Sequence, residues 1–326
     1  MTLSRPYIAM AAAFAAIYLI WGSTYLALAL GLQTLPPFLL MSARCLVGGT
    51  ILYGYARMRG AALPSTKMCS IAIMCGLLFF VGCHGVLAEA QQRVPSGVAA
   101  LLLATIPLWI ALLQFLIPGG KRPTGVAGAL LVPGVAGVAL IAWQEVTSGG
   151  NTMHPLDVVL LLGASLSWAV GTILSERYSS EFASTALAGL ELLAGGVALL
   201  AISAVSGELG TLKWTEISAV SLGGWAYLTF IGTVIAFSAY IWLLKRVAPA
   251  MVATYTFVNP IIAVALGWAF LGERPTSLIL VGAVMIIASV AGLLLSGAKS
   301  AKNDKLSSSG EPQLSSCRND EGHAGI

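Results

Sequence analysis

Ten apolar stretches, each about twenty residues long, follow one another from residue 7 to residue 297 with only short breaks between them. About twenty apolar residues in a helix cover the roughly 30 Å of bilayer hydrocarbon. In lipid every backbone N–H and C=O must be paired within the segment, so the spanning form is a helix. Approximate limits are 7–30, 36–56, 68–90, 95–117, 124–144, 155–177, 182–205, 219–244, 249–271 and 276–297. The breaks carry turn residues: Pro36-Pro37, Arg59-Gly60, Gly119-Gly120, Ser148-Gly149-Gly150-Asn151 and Ser206-Gly207. Charge is scarce to match. Only 9% of the 326 residues are Asp, Glu, Lys or Arg, against roughly 25% in soluble domains. Too few charges exist to coat a water-facing surface. A soluble enzyme, a nucleic-acid binder and a disordered chain are excluded, and an all-α polytopic membrane protein remains.

The first stretch runs on to about Leu30, too long for the apolar core of a cleaved signal peptide, so it is expected to stay as the first span. After Gly297 the chain turns polar and Ser-rich, and 298–326 is expected to be a disordered cytoplasmic tail. With ten spans both termini share one side. That side holds thirteen Lys and Arg, including Arg57, Arg59, Lys67, Lys121, Arg122 and the tail residues, against three in the opposite loops, Arg93, Lys213 and Arg274. The bias places both termini in the cytoplasm. The five cysteines form no CxxC pair, and four of them fall in apolar segments, where they read as small apolar side chains.

The chain also resembles itself. Trp21-Gly22-Ser23-Thr24 corresponds to Trp168-Ala169-Val170-Gly171 at a shift of 147, and the same shift carries Arg44 and Gly48-Gly49 onto Glu191 and Gly195-Gly196. Gly120-Lys121-Arg122-Pro123-Thr124 matches Gly272-Glu273-Arg274-Pro275-Thr276, and Pro107 pairs with Pro260. Two units of five spans follow, 7–145 and 155–297. Five is odd, so the second unit is expected upside down relative to the first, with Glu273 cancelling Arg274 in the second turn. Inverted repeats are the recurring plan of secondary transporters, which bind substrate between the halves.

Ile20-Trp21-Gly22-Ser23-Thr24-Tyr25, the embedded Arg44 and Val94-Pro95-Ser96-Gly97-Val98-Ala99-Ala100-Leu101 resemble the first EamA-type domain of the drug/metabolite transporter superfamily. Ser167-Trp168-Ala169, Pro249-Ala250, Val258-Asn259-Pro260 and Leu271-Gly272-Glu273 resemble the second. The likeness covers about residues 10–297 and is nearest to bacterial inner-membrane permeases of the metabolite and amino-acid efflux kind. It implies ten transmembrane helices as two inverted five-helix repeats around a central cavity open to one side at a time, and outward movement of small organic solutes.

A charge in mid-span costs about 2.5–3.5 kcal/mol on insertion scales, so it needs a partner, a wet cavity or a task. Arg44 and Glu191 sit at repeat-equivalent positions, and an ion pair between them, static or gating, is the sharpest expectation; Glu191 as a proton acceptor is the other. Glu89 stands one turn before Arg93, a solvated helix end or a cation or proton site. His84 is an interior hydrogen-bonded group or a protonatable one. Trp21, Tyr25, Trp168, Tyr240 and Tyr255, with Thr105 and Asn259, are candidates to line a cavity, plain helix packing being the alternative. Pro107 and Pro260 each remove a helix hydrogen bond and are expected to kink their spans. Trp214, Trp225 and Tyr227 suit an interfacial belt. Gly163, Ser167 and Gly171 form a small-residue stripe for helix contact, which leaves both monomer and dimer open.

The expected function is secondary active export of small organic metabolites, amino acids or related amphipathic compounds, by alternating access driven by a proton or by exchange. A channel-like facilitator and a multidrug permease are the alternatives. No G-x-x-x-x-G-K-[ST] phosphate loop is present. The three histidines, His84, His154 and His323, are too scattered for a zinc site of the H-E-x-x-H kind, so no enzyme, metal or cofactor is expected. The expected partners are the lipid bilayer, a small-molecule substrate and a coupling proton, with no nucleic acid.

Overall fold

The computed structural model describes residues 5–116, 125–147, 154–178, 184–244, 246–247, 252 and 254–308. Every element among them is helical. Seven helices are long and apolar enough to cross a bilayer: Ile8–Gly31, Pro37–Met58, Thr66–Ala90, Ser96–Gln114, Pro155–Tyr178, Ser184–Val205 and Ala219–Tyr240. Three shorter apolar helices, Ala129–Ile141, Tyr255–Leu271 and Ser277–Leu293, accompany them. The helix that begins at Ser277 continues to Ser308, so the polar segment after Gly297 starts as helix rather than as the disordered tail expected from 298. The last eighteen residues, 309–326, lie outside the described residues, as do the Gly119-Gly120 and Ser148–Asn151 turns.

The helices are numbered α1 (Arg5–Gly31), α2 (Pro37–Met58), α3 (Thr66–Gly76), α4 (Val86–Ala90), α5 (Ser96–Leu103), α6 (Ile106–Leu116), α7 (Gly125–Thr147), α8 (Pro155–Tyr178), α9 (Ser184–Val205), α10 (Glu208–Thr211), α11 (Ala219–Ala226), α12 (Ala236–Leu244), α13 (Tyr255–Leu271) and α14 (Ser277–Ser308). Two π-helical segments, Leu77–Gly85 and Tyr227–Ile235, interrupt the third span and the span that begins at Ala219. A π turn closes i→i+5 rings and is wider than an α turn, so its carbonyls meet other donors. In the first segment the Leu78 carbonyl accepts from Ser167 Oγ at 2.8 Å. In the second, Trp21 Nε1 donates to the Gly232 carbonyl at 3.0 Å. Each donor sits on a helix from the other half of the chain.

α2 and α9 pack closely and antiparallel because glycines line both. Gly49 faces Leu192, Gly196 faces Cys45, and Gly189 faces Tyr53. α9 also lies backbone-to-backbone on α3, where Gly76 meets the Glu191 carbonyl and the Gly195 amide. Of the stripe on α8, Gly171 packs on Leu78 and Phe79 and Ser167 makes the bond above, whereas nothing lies within 4 Å of a Cβ at Gly163.

The two prolines act differently. Pro107 separates α5 from α6: the helix ends at Leu103 and restarts at Ile106. Pro260 lies inside α13, which runs unbroken from Tyr255 to Leu271. With its amide turned to suit its neighbours, Asn259 donates to the carbonyls of Tyr255 at 3.1 Å and Tyr18 at 3.3 Å. The side chain thereby ties α13 to α1.

One end of the bundle is closed by carboxylates. α2 and α5 begin after Pro36 and Pro95, whose side chains cannot cap the first free N–H groups. Distant glutamates do so instead. Glu208 accepts from Phe38 N at 3.1 Å and Leu39 N at 2.9 Å. Glu273 accepts from Ser96 N at 2.6 Å and Gly97 N at 3.1 Å. It follows Gly272, whose φ of +69° makes the turn that aims the chain back. The reading of Glu273 as a counterion to Arg274 is therefore replaced by a helix cap. Glu273→Ala is expected to lower stability by about 1–2 kcal/mol. Glu216→Ala, which breaks an exposed pair with Lys213, is expected to stay within about 0.5 kcal/mol. Thermal unfolding of the detergent-solubilised protein compares them, and equal shifts would remove the capping account.

Candidate functional site

Arg44 lies where the two π-helical segments approach α2. It is 8% exposed. Its Nε donates to Thr233 Oγ1 at 3.0 Å, and the Thr233 hydroxyl donates to the Leu228 carbonyl, five residues back in the wide turn, at 2.9 Å. Neither Nη atom has a hydrogen-bond partner among the described residues, and no carboxylate stands within 4 Å of the guanidinium there.

The ion pair expected between Arg44 and Glu191 is not formed. Residues that face each other across α2 and α9 have numbers adding up to about 241, so Thr50, not Arg44, is level with Glu191. The offset is six residues, about 9 Å along the axis at 1.5 Å per residue. Glu191 is instead held by Ser175, whose Oγ donates to it at 3.0 Å, with Cys75 beside it.

His84 is held within the first π segment and against α8. Its Nδ1 lies 3.1 Å from the Phe79 carbonyl. A carbonyl only accepts, so this assigns the proton to Nδ1 and leaves Nε2 of the neutral ring as an acceptor. The ring stacks on Phe80 (centroids 5.6 Å apart, 13° between planes) and meets the edge of Trp168 at 5.0 Å. Trp168 also touches Phe79 at 4.7 Å.

The other candidates divide among separate places. Trp21 packs on Tyr255 and Tyr240, with centroids 4.7 and 5.4 Å away. Thr105 bonds to Ser165 at 3.0 Å, and Trp109 reaches the same hydroxyl at 2.9 Å. Tyr25 packs on the main core and its carbonyl accepts from Gln91 at 2.6 Å. Of the expected belt, Trp214 is exposed, but the Tyr227 hydroxyl bonds to Ser23 at 2.7 Å inside the bundle, and Trp225 Nε1 is buried. Two aromatic clusters thus exist, one around Trp21 and one around Trp168; Arg44 bonds to Thr233, the residue after the Gly232 whose carbonyl takes Trp21.

Glu89 forms the i,i+4 pair with Arg93 at 3.1 Å. Arg93 has a second, stronger partner that sequence reasoning missed. Asp157, 2% exposed, takes Arg93 Nη2 at 2.9 Å and Nε at 3.2 Å and the His154 amide at 2.9 Å. Hydrogen bonds from Asp157, then from Glu89, raise the Arg93 pKa above its ordinary value. An acid in the first turn of an apolar span was the available signal. Thr233 and Ser175 carried none, being ordinary hydroxyls in apolar runs.

The model of the EamA-like transporter family matches residues 8–143 and again residues 156–295. The chain belongs to the EamA-like transporter family. The uncharacterized inner membrane transporter YedA of Escherichia coli (strain K12) is 34% identical over 271 residues, 82% of this chain and 85% of that one. The uncharacterized transporter YoaV of Bacillus subtilis (strain 168) is 24% identical over 276 residues, 84% of this chain and 92% of that one. A crystal structure at 22% identity superposes with a TM-score of 0.60 over 88% of this chain and 98% of its own, a likeness of fold. The EamA-like protein described here is a multi-pass membrane transporter, not an enzyme.

Proposed function

We propose that this EamA-like protein is a secondary active exporter of small organic metabolites, amino acids or related amphipathic compounds, working by alternating access between two inverted five-span units. The observation that carries the reading is an exchange of contacts. Adding 147 to Cys45 gives Leu192, and subtracting it from Gly196 gives Gly49; Cys45 faces Gly196 and Leu192 faces Gly49. A contact that maps onto its own partner is what a two-fold axis between the units produces. The nine-residue π segments support the same relation, starting at Leu77 and Tyr227, 150 residues apart.

Ten spans, both termini in the cytoplasm and residence in the inner membrane belong to this reading, supported by the basic-residue bias and by the name of the Escherichia coli relative. Glu191 is the group we assign to a coupling proton. It is a buried carboxylate held by a hydroxyl, with no cation within 4 Å among the described residues. Intramembrane acids of this kind are typical of proton relays.

The test is flux. Inverted vesicles or proteoliposomes carrying the full chain, given a pH gradient and a pool of labelled amino acids, are expected to accumulate at least one of them above equilibrium. Glu191→Gln is expected to abolish that accumulation while preserving exchange of labelled for unlabelled solute. Uptake that only equilibrates in the wild type would replace an exporter by a facilitator.

A further inference from the structure

We propose that Glu208 and Glu273 are the bolts of a one-sided gate. Both engage when the end of the bundle at which α2 and α5 begin is closed, both release when it opens, and the opposite end has no such bolts. The proposal deepens the transporter reading, and rests on its two inverted units, by naming what biases the protein toward one of its two states.

The bolts join the two units. α2 and α5 belong to the first, and Glu208 and Glu273 to the second. Each carboxylate accepts from two successive backbone amides, those of Phe38 and Leu39 or those of Ser96 and Gly97. It also meets the positive end of the helix dipole. The preceding prolines offer no side-chain acceptor in exchange. Both glutamates are partly exposed, so water replaces them at modest cost, as a contact that is made and broken requires. Other polar contacts between the units gather at the same end. Asp157 holds Arg93, the Ser218 amide donates to Thr34 Oγ1 at 3.0 Å, and Ser221 Oγ donates to the Leu30 carbonyl at 3.0 Å.

The repeat shows what the other end lacks. α2 ends at Met58 and α9 at Val205, and each is followed by a glycine in the left-handed region, Gly60 at φ +85° and Gly207 at φ +83°. Both pairs are 147 residues apart, the shift that relates Arg44 to Glu191. It carries Glu208 onto Ala61. The match of Gly272–Thr276 with Gly120–Thr124 carries Glu273 onto Lys121. In inverted units these positions belong to the opposite end. A methyl group and a cation accept nothing from a helix start, and the cation is repelled by its dipole. The bolts therefore favour closure of one end only. With both termini in the cytoplasm that end is external, and the protein rests open to the cytoplasm, where an exporter loads.

The experiment labels a cysteine at position 96 with a membrane-impermeant maleimide, applied from outside to right-side-out vesicles. Ser96 is 1% exposed and its hydroxyl has no hydrogen-bond partner among the described residues, so Ser96→Cys removes no bond. Cys69→Ser and Cys317→Ser clear the background. Labelling is expected to be slow relative to the denatured chain. Glu273→Gln is expected to speed it about three- to tenfold. Glu208→Gln is expected to speed it comparably, although Glu208 bonds to α2 and not to α5; a purely local cap has no such reach. Glu216→Gln is the neutral control. Each variant is first checked for a wild-type peak in size exclusion, and if Glu273→Gln does not fold, Glu208→Gln decides alone. Unchanged labelling in folded Glu208→Gln, or labelling of the Ser96→Cys chain as fast as when denatured, would overturn the proposal. Concentrative flux with labelling unmoved by Glu208→Gln would keep the transporter and remove the gate. Linked labelling without concentrative flux would keep the gate and remove the exporter.

Discussion

Leucine in place of Gly76 or Gly195 is expected to leave no folded protein to purify. At this point α3 and α9 touch through their backbones: a Cβ at Gly195 would lie 2.8 Å from the Gly76 carbonyl and 2.5 Å from Phe80 Cβ, and one at Gly76 would lie 3.1 Å from the Gly195 amide. Neither neighbour is the free end of a flexible chain, so a larger residue must push the helices apart. Overpacking by single methylenes already costs about 1–3 kcal/mol. A whole isobutyl group against backbone is expected to exceed that and to dissolve the contact that positions Glu191. The small residues are there because lipid gives apolar helices no reason to associate, and close backbone approach does. Gly163→Leu is the control. It sits on the same kind of stripe but faces open space, and it is expected to give a wild-type, monodisperse peak in size exclusion. A wild-type peak from Gly195→Leu would show that the helices are not held by this contact.

Among the rim residues, Asp157 is expected to matter most. Its carboxylate is 2% exposed and receives two nitrogens of Arg93, so Asp157→Asn leaves a guanidinium facing a neutral amide. Breaking a buried pair by altering one partner costs about 3–5 kcal/mol. Arg93 is itself about a third exposed and keeps Glu89, which reduces the expected loss to about 2–3 kcal/mol. Glu89→Gln, which removes an exposed i,i+4 pair, is expected to cost only a few tenths of a kcal/mol. A double-mutant cycle on Arg93→Gln and Asp157→Asn, read by thermal unfolding in detergent, should return a coupling of about 1–3 kcal/mol. A coupling near zero would mean that the bidentate contact contributes nothing. The pair also joins the start of α8 to the end of the third span, and with Glu208 and Glu273 it closes one end of the bundle.

The sequence by itself determined the solvent and the family. Twenty-residue apolar runs with 9% charge admit only a helical membrane protein, and motifs such as Ile20–Tyr25, Val94–Leu101 and Val258-Asn259-Pro260 sufficed to point to the transporter family. It also singled out Arg44 and Glu191, because a charge in an apolar run stands out whatever it touches. Their partners were decided by tertiary structure alone. Equivalence under a repeat says which residues share a role, but contact depends on where the axis crosses the helices. Here the α2–α9 register puts Thr50 rather than Arg44 level with Glu191, so the charges are carried apart and fall to Thr233 and Ser175. The same holds for the rim. Proline-started helices announce unmet N–H groups, yet only the fold reveals that Glu208 and Glu273, 169 to 177 residues away, supply their partners. The π turns complete the case: nothing in Leu77–Gly85 differs in composition from an α-helical span, and only the fold shows the widened turns whose carbonyls take donors from across the bundle.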